Sequence, residues 1–182
     1  MYNDPANIIT LIEGCKINDP KAQEQLYRCY YKSMINLCLR YSKNEQDAMD
    51  VLNAAFLKVF RNIQQYNSAK GILYTWIRTI VINTCIDKMQ LQRQQIITGE
   101  LKQDEDVFVD PEALIKADVA SILQLVRMLP PATKAVFNLY SIEGYGHKEI
   151  GKMLKITEGT SKWHLSEARK KLQQLLKQQA NN

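Results

Sequence analysis

The stretch GYGHKEIGKMLKITEGTSKWHLSEARKKL, from Gly144 to Leu172, decides the fold of the C-terminal part of the chain. Two glycines near its start interrupt the preceding helical pattern, and apolar residues then recur at helical spacing as far as Leu154. A longer helical pattern begins after Thr157, a residue type that caps helix N-termini, and is predicted to continue to about Lys177. Two helices joined by so short a turn predict a helix-turn-helix.

The first helix of this motif is predicted to begin after Gly146, which would serve as its N-cap. Glu149 falls in its first turn, where the positive end of the helix dipole favours an acidic side chain. Gly151 lacks a Cβ where the two helices are expected to cross closely. The apolar residues Ile150, Leu154 and Ile156 are expected to form the seam between the helices.

The second helix has two distinct faces. One face carries a seam at three- and four-residue spacing, which predicts burial: Ser161, Leu165, Ala168 and Leu172. The other face is polar and basic, and its residues are the candidate contacts to duplex DNA: Thr160, Lys162, Trp163, Ser166, Glu167, Arg169 and Lys170. Such a helix can enter a major groove, where its cationic groups bind phosphates and other side chains reach base edges. A helical hairpin in an ordinary bundle is the alternative interpretation.

Outside this stretch, apolar residues again recur at three and four, and strand patterns are scarce. The fold class is therefore predicted to be all-α. Acidic residues followed by proline mark two helix starts, at Asp4-Pro5 and Asp19-Pro20. Helices are predicted near residues 5–15, 20–42, 45–64 and 72–92.

Helical periodicity fails after residue 92, in a polar stretch with an acidic run at Asp104, Glu105 and Asp106. Periodicity resumes before Pro130-Pro131 and continues in the helix-turn-helix. The predicted architecture is two small helical domains, 1–92 and 112–182, joined by a flexible linker at 93–111.

Composition excludes several classes of protein. The net charge is +5, and residues 141–182 carry eight of the 24 lysines and arginines but four of the 19 acids, which suits a nucleic-acid-binding end. No apolar run approaches the roughly 20 residues that span a bilayer, and no secretory signal is recognisable, so the expected compartment is the cytoplasm. The four cysteines form no C-x-x-C pair, so no metal or other cofactor is expected. Neither paired carboxylates beside a histidine nor a phosphate-cradling glycine loop suggests an enzyme.

Two parts of the chain carry motifs of a known family. In the C-terminal half they are LPPATKAVFNLYSIEGYGHKEIGKML and ITEGTSKWHLSEARKKL, and in the N-terminal half they are KAQEQLYRCYYKSMINLCLRY, DAMDVLNAAFLKVF and YTWIRTIVINTCID. These segments resemble the fourth and second conserved regions of the extracytoplasmic-function (ECF) sigma factors of bacterial RNA polymerase, particularly Bacteroidetes-like members. Two matches in the family's order are more specific than a lone helix-turn-helix.

The resemblance implies a non-enzymatic specificity subunit that binds core RNA polymerase and promoter DNA. Region 2 would dock on the clamp helices of the polymerase β′ subunit through Asp50, Asn53, Ala54 and Leu57. It would also open the minus ten element, with a capture loop and following helix that supply Tyr66, Asn67, Ser68, Lys70, Arg78, Asn83 and Lys88. Region 4 would read the minus thirty-five duplex while it rests on the β flap. The free protein is expected to hide its DNA-binding faces, either by packing its domains together or through an anti-sigma factor.

Several residues depart from the family's pattern. The family usually continues D-x-x with glutamine and an acid, whereas Asp50 is followed by Asn53 and Ala54. After Asp87 the family commonly has several arginines, whereas residues 88–93 of this chain carry few charges. In the opening stretch, four residues replace the usual ones: Gly146 a serine, Lys155 a glycine, Trp163 a small residue and Glu167 an arginine. The altered docking motif leaves an alternative open, namely a helix-turn-helix regulator of sigma-like ancestry that no longer engages polymerase.

Three residues in these motifs allow more than one interpretation. Glu167 either pairs with Lys170 and Lys171 along the helix or accepts a hydrogen bond from the amine of a cytosine. The aromatic residues Tyr74 and Trp76 either stack on unpaired bases or pack in the core, and core packing is favoured for the tryptophan.

Overall fold

The computed structural model of this protein describes residues 5–97 and 124–180, with side chains described for 8–91 and 124–178. All regular structure in these ranges is helical, which confirms the predicted fold class. The chain divides into two compact units, Met1–Cys85 and Ile86–Asn182. The acidic run from Asp104 to Asp106, and the predicted linker from residue 98 onward, lie outside the described residues.

The N-terminal unit begins with three helices and ends within a fourth: α1 Pro5–Lys16, α2 Pro20–Tyr41, α3 Glu45–Asn62 and α4 Leu73–Ile97. Two short 3-10 turns, Ile63–Gln65 and Ser68–Lys70, lie between α3 and α4. The predicted helix starts agree with these bounds to within a residue. The end of α4 was predicted too early, at residue 92, because its polar continuation RQQII lacks apolar periodicity but consists of adequate helix formers without glycine or proline.

Side-chain caps explain where α2 and α3 begin. The carboxylate of Asp19 accepts hydrogen bonds from the backbone N–H groups of Lys21 and Ala22, at 3.2 and 3.3 Å. The amide oxygen of Asn44 accepts one from the N–H of Asp47 at 2.8 Å. Each cap satisfies backbone donors that the first turn of a helix leaves without partners.

The core of the N-terminal unit is apolar and draws on all four helices. Its largest fully buried side chains are Leu26, Met34, Leu37, Leu52, Phe56, Ile63, Ile77 and Ile82. Three of the four cysteines are also buried, with exposed fractions of 0% for Cys15 and Cys38 and 3% for Cys85. Burial, with a smaller effect of the Asp19 charge, raises the pKa of Cys15 to about 11. Its thiol therefore stays protonated and packs as a small apolar group.

The described part of the C-terminal unit contains the end of α4, a helical segment at 124–127 and three further helices: α5 Pro131–Phe137, α6 His147–Leu154 and α7 Glu158–Ala180. A π-helical turn, Asn138–Ile142, continues α5. The hydrophobic cluster that joins the segment before α5 to α7 consists of Leu125, Val126, Leu129, Ala168 and Leu172. This packing holds one face of α7 against the unit and leaves the other face exposed.

Candidate nucleic-acid interface

The helix-turn-helix is formed by α6, a short turn and α7, as the sequence predicts. At the start of α6, the backbone N–H of Gly146 donates to Oε2 of Glu149 at 2.9 Å. At the start of α7, the hydroxyl of Thr157 accepts from the N–H of Thr160 at 3.0 Å. Gly146 and Thr157 are therefore the N-caps that the sequence predicts.

The close approach at Gly151 differs from the predicted one. A Cβ added at this position would lie 2.9 Å from the carbonyl oxygen of Ile156, and the N–H of Ile156 donates to the carbonyl of Gly151 at 3.0 Å. The tight contact is thus with the backbone of the turn, whereas the sequence-based expectation placed it at a crossing of the two helices. The reason is that the chain folds back over the last turn of α6 before α7 begins.

Lys155, at the end of α6, adopts a left-handed conformation with φ 56° and ψ 45°. A side chain in this region is strained, because its Cβ lies close to the following carbonyl. We expect Lys155→Gly to raise the free energy of unfolding by about 0.5–1 kcal/mol, since relief of this strain outweighs the greater entropy of unfolded glycine. Urea unfolding monitored by circular dichroism would measure this change in the free energy of unfolding.

The matched control for this prediction is Lys155→Ala, which removes the charge and keeps the Cβ. We expect no comparable gain from alanine. An equal gain from alanine and glycine would mean that the lysine charge, and not the backbone conformation, limits stability here.

The two predicted faces of α7 are present. The seam residues Ser161, Leu165, Ala168 and Leu172 have exposed fractions between 0% and 8%. On the other face, five candidate DNA contacts are exposed, namely Lys162, Trp163, Ser166, Arg169 and Lys170, while Thr160 and Glu167 are half-buried. The structure therefore leaves five of the seven candidates open to solvent and covers Thr160 and Glu167 in part.

Two histidines link α7 to neighbouring helices through hydrogen bonds. A hydrogen bond of 2.9 Å joins Nδ1 of His147 to the buried hydroxyl of Ser161, and one of 3.0 Å joins Nδ1 of His164 to Thr133. Within residues 5–97 and 124–180, no three His, Cys, Asp or Glu side chains form a group that could hold a metal ion. The contacts link residues distant in sequence, so spacing alone gave no sign of them.

An aromatic stack also restrains Arg169 on the exposed face of α7. The ring of Tyr140 stacks on His147 with centroids 4.5 Å apart, and the guanidinium carbon of Arg169 lies 6.0 Å from the Tyr140 centroid. A cation at this distance is attracted to the face of the ring. Arg169, a candidate DNA contact, is thus restrained by a ring from the π-helical turn that continues α5.

Acidic side chains modify the charge of this face. Lys162 pairs with Glu158 at 2.7 Å, and the hydrogen bond and charge of Lys162 lower the pKa of that glutamate. Among the side chains that the structure describes, Glu167 forms no ion pair with Lys170 or Lys171, so the expected intrahelical pair is absent.

In the N-terminal unit, the predicted capture loop lies between α3 and α4 and is partly ordered by its own side chains. The hydroxyl of Tyr66 donates to the carbonyl of Gly71 at 3.1 Å, and the side chain of Asn67 accepts from the N–H of Ala69 at 2.9 Å. Asn67, Ser68 and Lys70 are exposed. These are the residues that the sequence assigned to base capture, and the structure places them on one loop.

The core-packing interpretation that was favoured for Trp76 is half right, and Tyr74, for which both interpretations were open, is also only partly covered. Tyr74 is 40% exposed, and Trp76 is half-buried with its ring 5.6 Å from that of Tyr66. Both lie in the first turn of α4, at the edge of the unit, where the core cannot cover them completely. Tyr66 and Trp76 thus form a half-buried aromatic pair at the capture loop.

The other three minus ten candidates lie further along α4. Asn83 is exposed, whereas Arg78 and Lys88 are half-buried. Residues five positions apart point in different directions around a helix of 3.6 residues per turn, so the structure does not gather these three on one face.

The predicted docking residues form an exposed stripe on α3. Asp50, Asn53, Ala54 and Leu57 are all exposed, and Leu57 leaves 58% of its surface open. Two polar contacts restrain this stripe: Gln46 donates to Asp50 at 3.3 Å, and the hydroxyl of Tyr27 donates to Asn53 at 3.1 Å. An apolar side chain bordered by oriented polar groups suits a protein interface.

The sequence models of two protein-family regions match this chain, one in each half. Sigma-70 region 2 matches residues 26–95, and Sigma-70, region 4 matches residues 120–172. Together they cover more than half of the 182 residues. No helix in the described ranges is long and apolar enough to cross a membrane.

Curated relatives extend the similarity over almost the whole chain. The ECF RNA polymerase sigma factor SigM of Mycobacterium tuberculosis is 28% identical over 159 residues, which span 87% of this chain and 79% of that protein. The RNA polymerase sigma-H factor of Pseudomonas aeruginosa is 24% identical over 184 residues, which span 92% of this chain and 95% of that protein.

Solved structures show the same fold at lower identity. The sigma factor RpoE in its complex with the anti-sigma factor NepR, from Bartonella quintana, matches with a TM-score of 0.57 at 19% identity, over 85% of this chain and 96% of that one. CnrH in complex with the cytosolic domain of CnrY matches with a TM-score of 0.50 at 18% identity, over 92% and 96%.

Proposed function

The chain belongs to the ECF sigma factors of the sigma-70 family, and from this membership we propose that it is a sigma subunit that binds core RNA polymerase and directs transcription initiation at its promoters. The observation that carries the proposal is the presence of both regions, 2 and 4, in the family's order on one chain. A sigma factor supplies binding and specificity, so the protein itself performs no catalysis and acts in the cytoplasm with the polymerase.

We assign the promoter contacts to the two regions separately. In region 2, taken as residues 1–92, the loop from Tyr66 to Lys70 and the adjacent Trp76 ring offer stacking surfaces and positive charge for unpaired minus ten bases. In region 4, taken as 112–182, the exposed face of α7 enters the major groove of the minus thirty-five duplex.

The protein partners follow from the same assignment. The α3 stripe around Leu57 docks on the β′ clamp helices, and region 4 rests on the β flap. An anti-sigma factor is a further partner of the free protein, in keeping with the complex of the similar sigma factor RpoE with the anti-sigma factor NepR. The resemblance of the segment LPPATKAVFNLYSIEGYGHKEIGKML supports placing the chain with Bacteroidetes-like members.

Run-off transcription tests the proposal. Purified core polymerase, with and without the full chain, is supplied with the promoter upstream of the chain's own gene. We expect a defined transcript only when the chain is present. Absence of a transcript, together with failure of the chain to co-elute with core polymerase, would reject the sigma function.

A helix-turn-helix regulator that does not engage polymerase is the second candidate. The specific observation in its favour is Ala54, which supplies no carboxylate at the place where the family usually has an acid. Such a regulator would bind duplex DNA through α7 without any affinity for core polymerase, so co-elution separates the two functions.

The docking stripe gives a quantitative prediction. We expect Ala54→Glu to tighten binding to core polymerase about three- to tenfold, because a charge-assisted hydrogen bond at an exposed interface contributes at the lower end of its range. Titration of labelled chain with core polymerase would measure the affinity, and added salt should reduce the gain.

Ala54→Gln is the matched control for this prediction, since it has the same length and no charge. We expect little gain from the amide. If neither substitution changes the affinity, position 54 lies outside the polymerase interface in this protein.

A further inference from the structure

Trp163 stands at the centre of the exposed face of α7. Its position along the helix is almost directly opposite the buried seam formed by Ser161, Leu165, Ala168 and Leu172, because successive residues turn by about 100°. The side chain is 58% exposed, more than any other aromatic residue among the exposed large apolar groups of the described residues. An aromatic ring of this size at such a position is costly in water unless a partner covers it.

The neighbours of Trp163 on this face make it protrude. Gly159 lies one turn before it, and a Cβ there would meet only the Thr157 hydroxyl at 3.8 Å, so the surface is open on that side. Thr160 and Ser166, which flank it at three residues on either side, are small. These three neighbours therefore leave the indole uncovered.

The base of this side chain is held in place. The indole packs edge-on against the ring of His164, with centroids 4.9 Å apart, and His164 is itself hydrogen-bonded to Thr133 of α5 at 3.0 Å. A restrained ring loses less conformational entropy when it binds, so it can contribute to recognition at low cost.

The chemistry of the major groove indicates what this ring would contact. Base edges there present hydrogen-bond donors and acceptors, and the one large apolar feature is the 5-methyl group of thymine. An indole that faces the groove gains by covering that methyl group, whereas a polar edge beneath it would lose its hydrating water without a partner.

We propose that Trp163 is a specificity-determining residue that contacts the 5-methyl group of a thymine in the minus thirty-five element. The inference rests on the proposed function, because it requires α7 to lie in the major groove of that element. Since Glu167 follows Trp163 by one helical turn on the same face, the thymine should lie within about two base pairs of the position that Glu167 contacts.

The experiment uses the full chain with core polymerase and duplex promoters whose preferred minus thirty-five sequence has been selected from a library. Each thymine of that element is replaced in turn by deoxyuridine, which removes the methyl group and keeps every hydrogen-bonding atom. We expect one replacement to weaken binding about fourfold, the effect of one buried methyl-sized group. With Trp163→Ala the same replacement should have no effect, while Trp163→Phe should retain part of it.

Other results would overturn the inference. It fails if no deoxyuridine replacement matters, or if Trp163→Ala shows the same thymine dependence as the parent chain. It also fails if Trp163→Ala weakens binding to core polymerase alone and leaves base preference unchanged, because the ring would then contact protein.

The same measurements made without core polymerase separate this inference from the sigma function. If the chain binds duplex DNA but never core polymerase, the sigma function fails, and the deoxyuridine comparison still decides the role of Trp163. If no DNA is bound in either arrangement, both proposals are wrong.

Discussion

Gly151→Val is expected to lower the free energy of unfolding of the helix-turn-helix by about 2–3 kcal/mol, because a Cβ at this position would meet the carbonyl oxygen of Ile156 at 2.9 Å. That oxygen belongs to backbone that leads directly into α7, so the turn must move to relieve the clash. Movement of the turn displaces α7 from α6 and breaks the hydrogen bond between His147 and Ser161. Recognition of the minus thirty-five duplex should be lost together with stability.

Gly159→Val is the matched control, since it makes the same change on a helix where the added Cβ meets only the Thr157 hydroxyl at 3.8 Å. Its stability should remain within about 0.5 kcal/mol of the parent chain, because valine and glycine differ little in helix propensity. Thermal unfolding of both variants would measure the difference. Equal destabilisation by the two valines would show that glycine is not required by the turn.

Much of this fold follows from local sequence chemistry. Asp19 and Thr157 were recognisable as caps because each precedes a periodic pattern, and the structure shows both accepting backbone hydrogen bonds. The buried seam of α7 was equally predictable, because three- and four-residue spacing places residues on one face of any helix. In both cases the determining interaction spans only a few residues.

Contacts between distant residues could not be predicted in the same way. The hydrogen bond from His164 to Thr133 joins residues 31 positions apart, and no periodic pattern contains that distance. The half-exposed position of Trp76 also escaped prediction, because ring size alone favours burial and only the packed structure shows that the first turn of α4 lies at the edge. Tertiary geometry decides such positions.

The candidate contacts share a pattern in which a second side chain orients the first. Tyr27 holds Asn53 on the docking stripe, and Tyr140 holds Arg169 on the face of α7. An oriented group has less conformational freedom to lose on binding. Such contacts can therefore support binding to polymerase even though Ala54 supplies no carboxylate on the docking stripe. Sequence reasoning predicted the candidate contact residues, while the tyrosines that lie against them became visible only in the structure.

Glu167→Arg is expected to change the preferred base at one position of the minus thirty-five element by about 1–3 kcal/mol, because glutamate accepts from the amine of cytosine whereas arginine donates to guanine. The structure strengthens this expectation. Neither Lys170 nor Lys171 pairs with Glu167 in the described part of α7, so the carboxylate is not already neutralised along the helix.

Comparison of Glu167→Gln with Glu167→Arg separates base recognition from a general charge effect. Transcription from a minus thirty-five library would give the preference of each variant at every position. If glutamate reads cytosine, the preference should shift at a single base pair, with arginine favouring guanine and glutamine favouring adenine, its own bidentate partner. If both variants instead raise affinity evenly for all sequences, the carboxylate only repels phosphates, because electrostatic contacts to the backbone carry no sequence information.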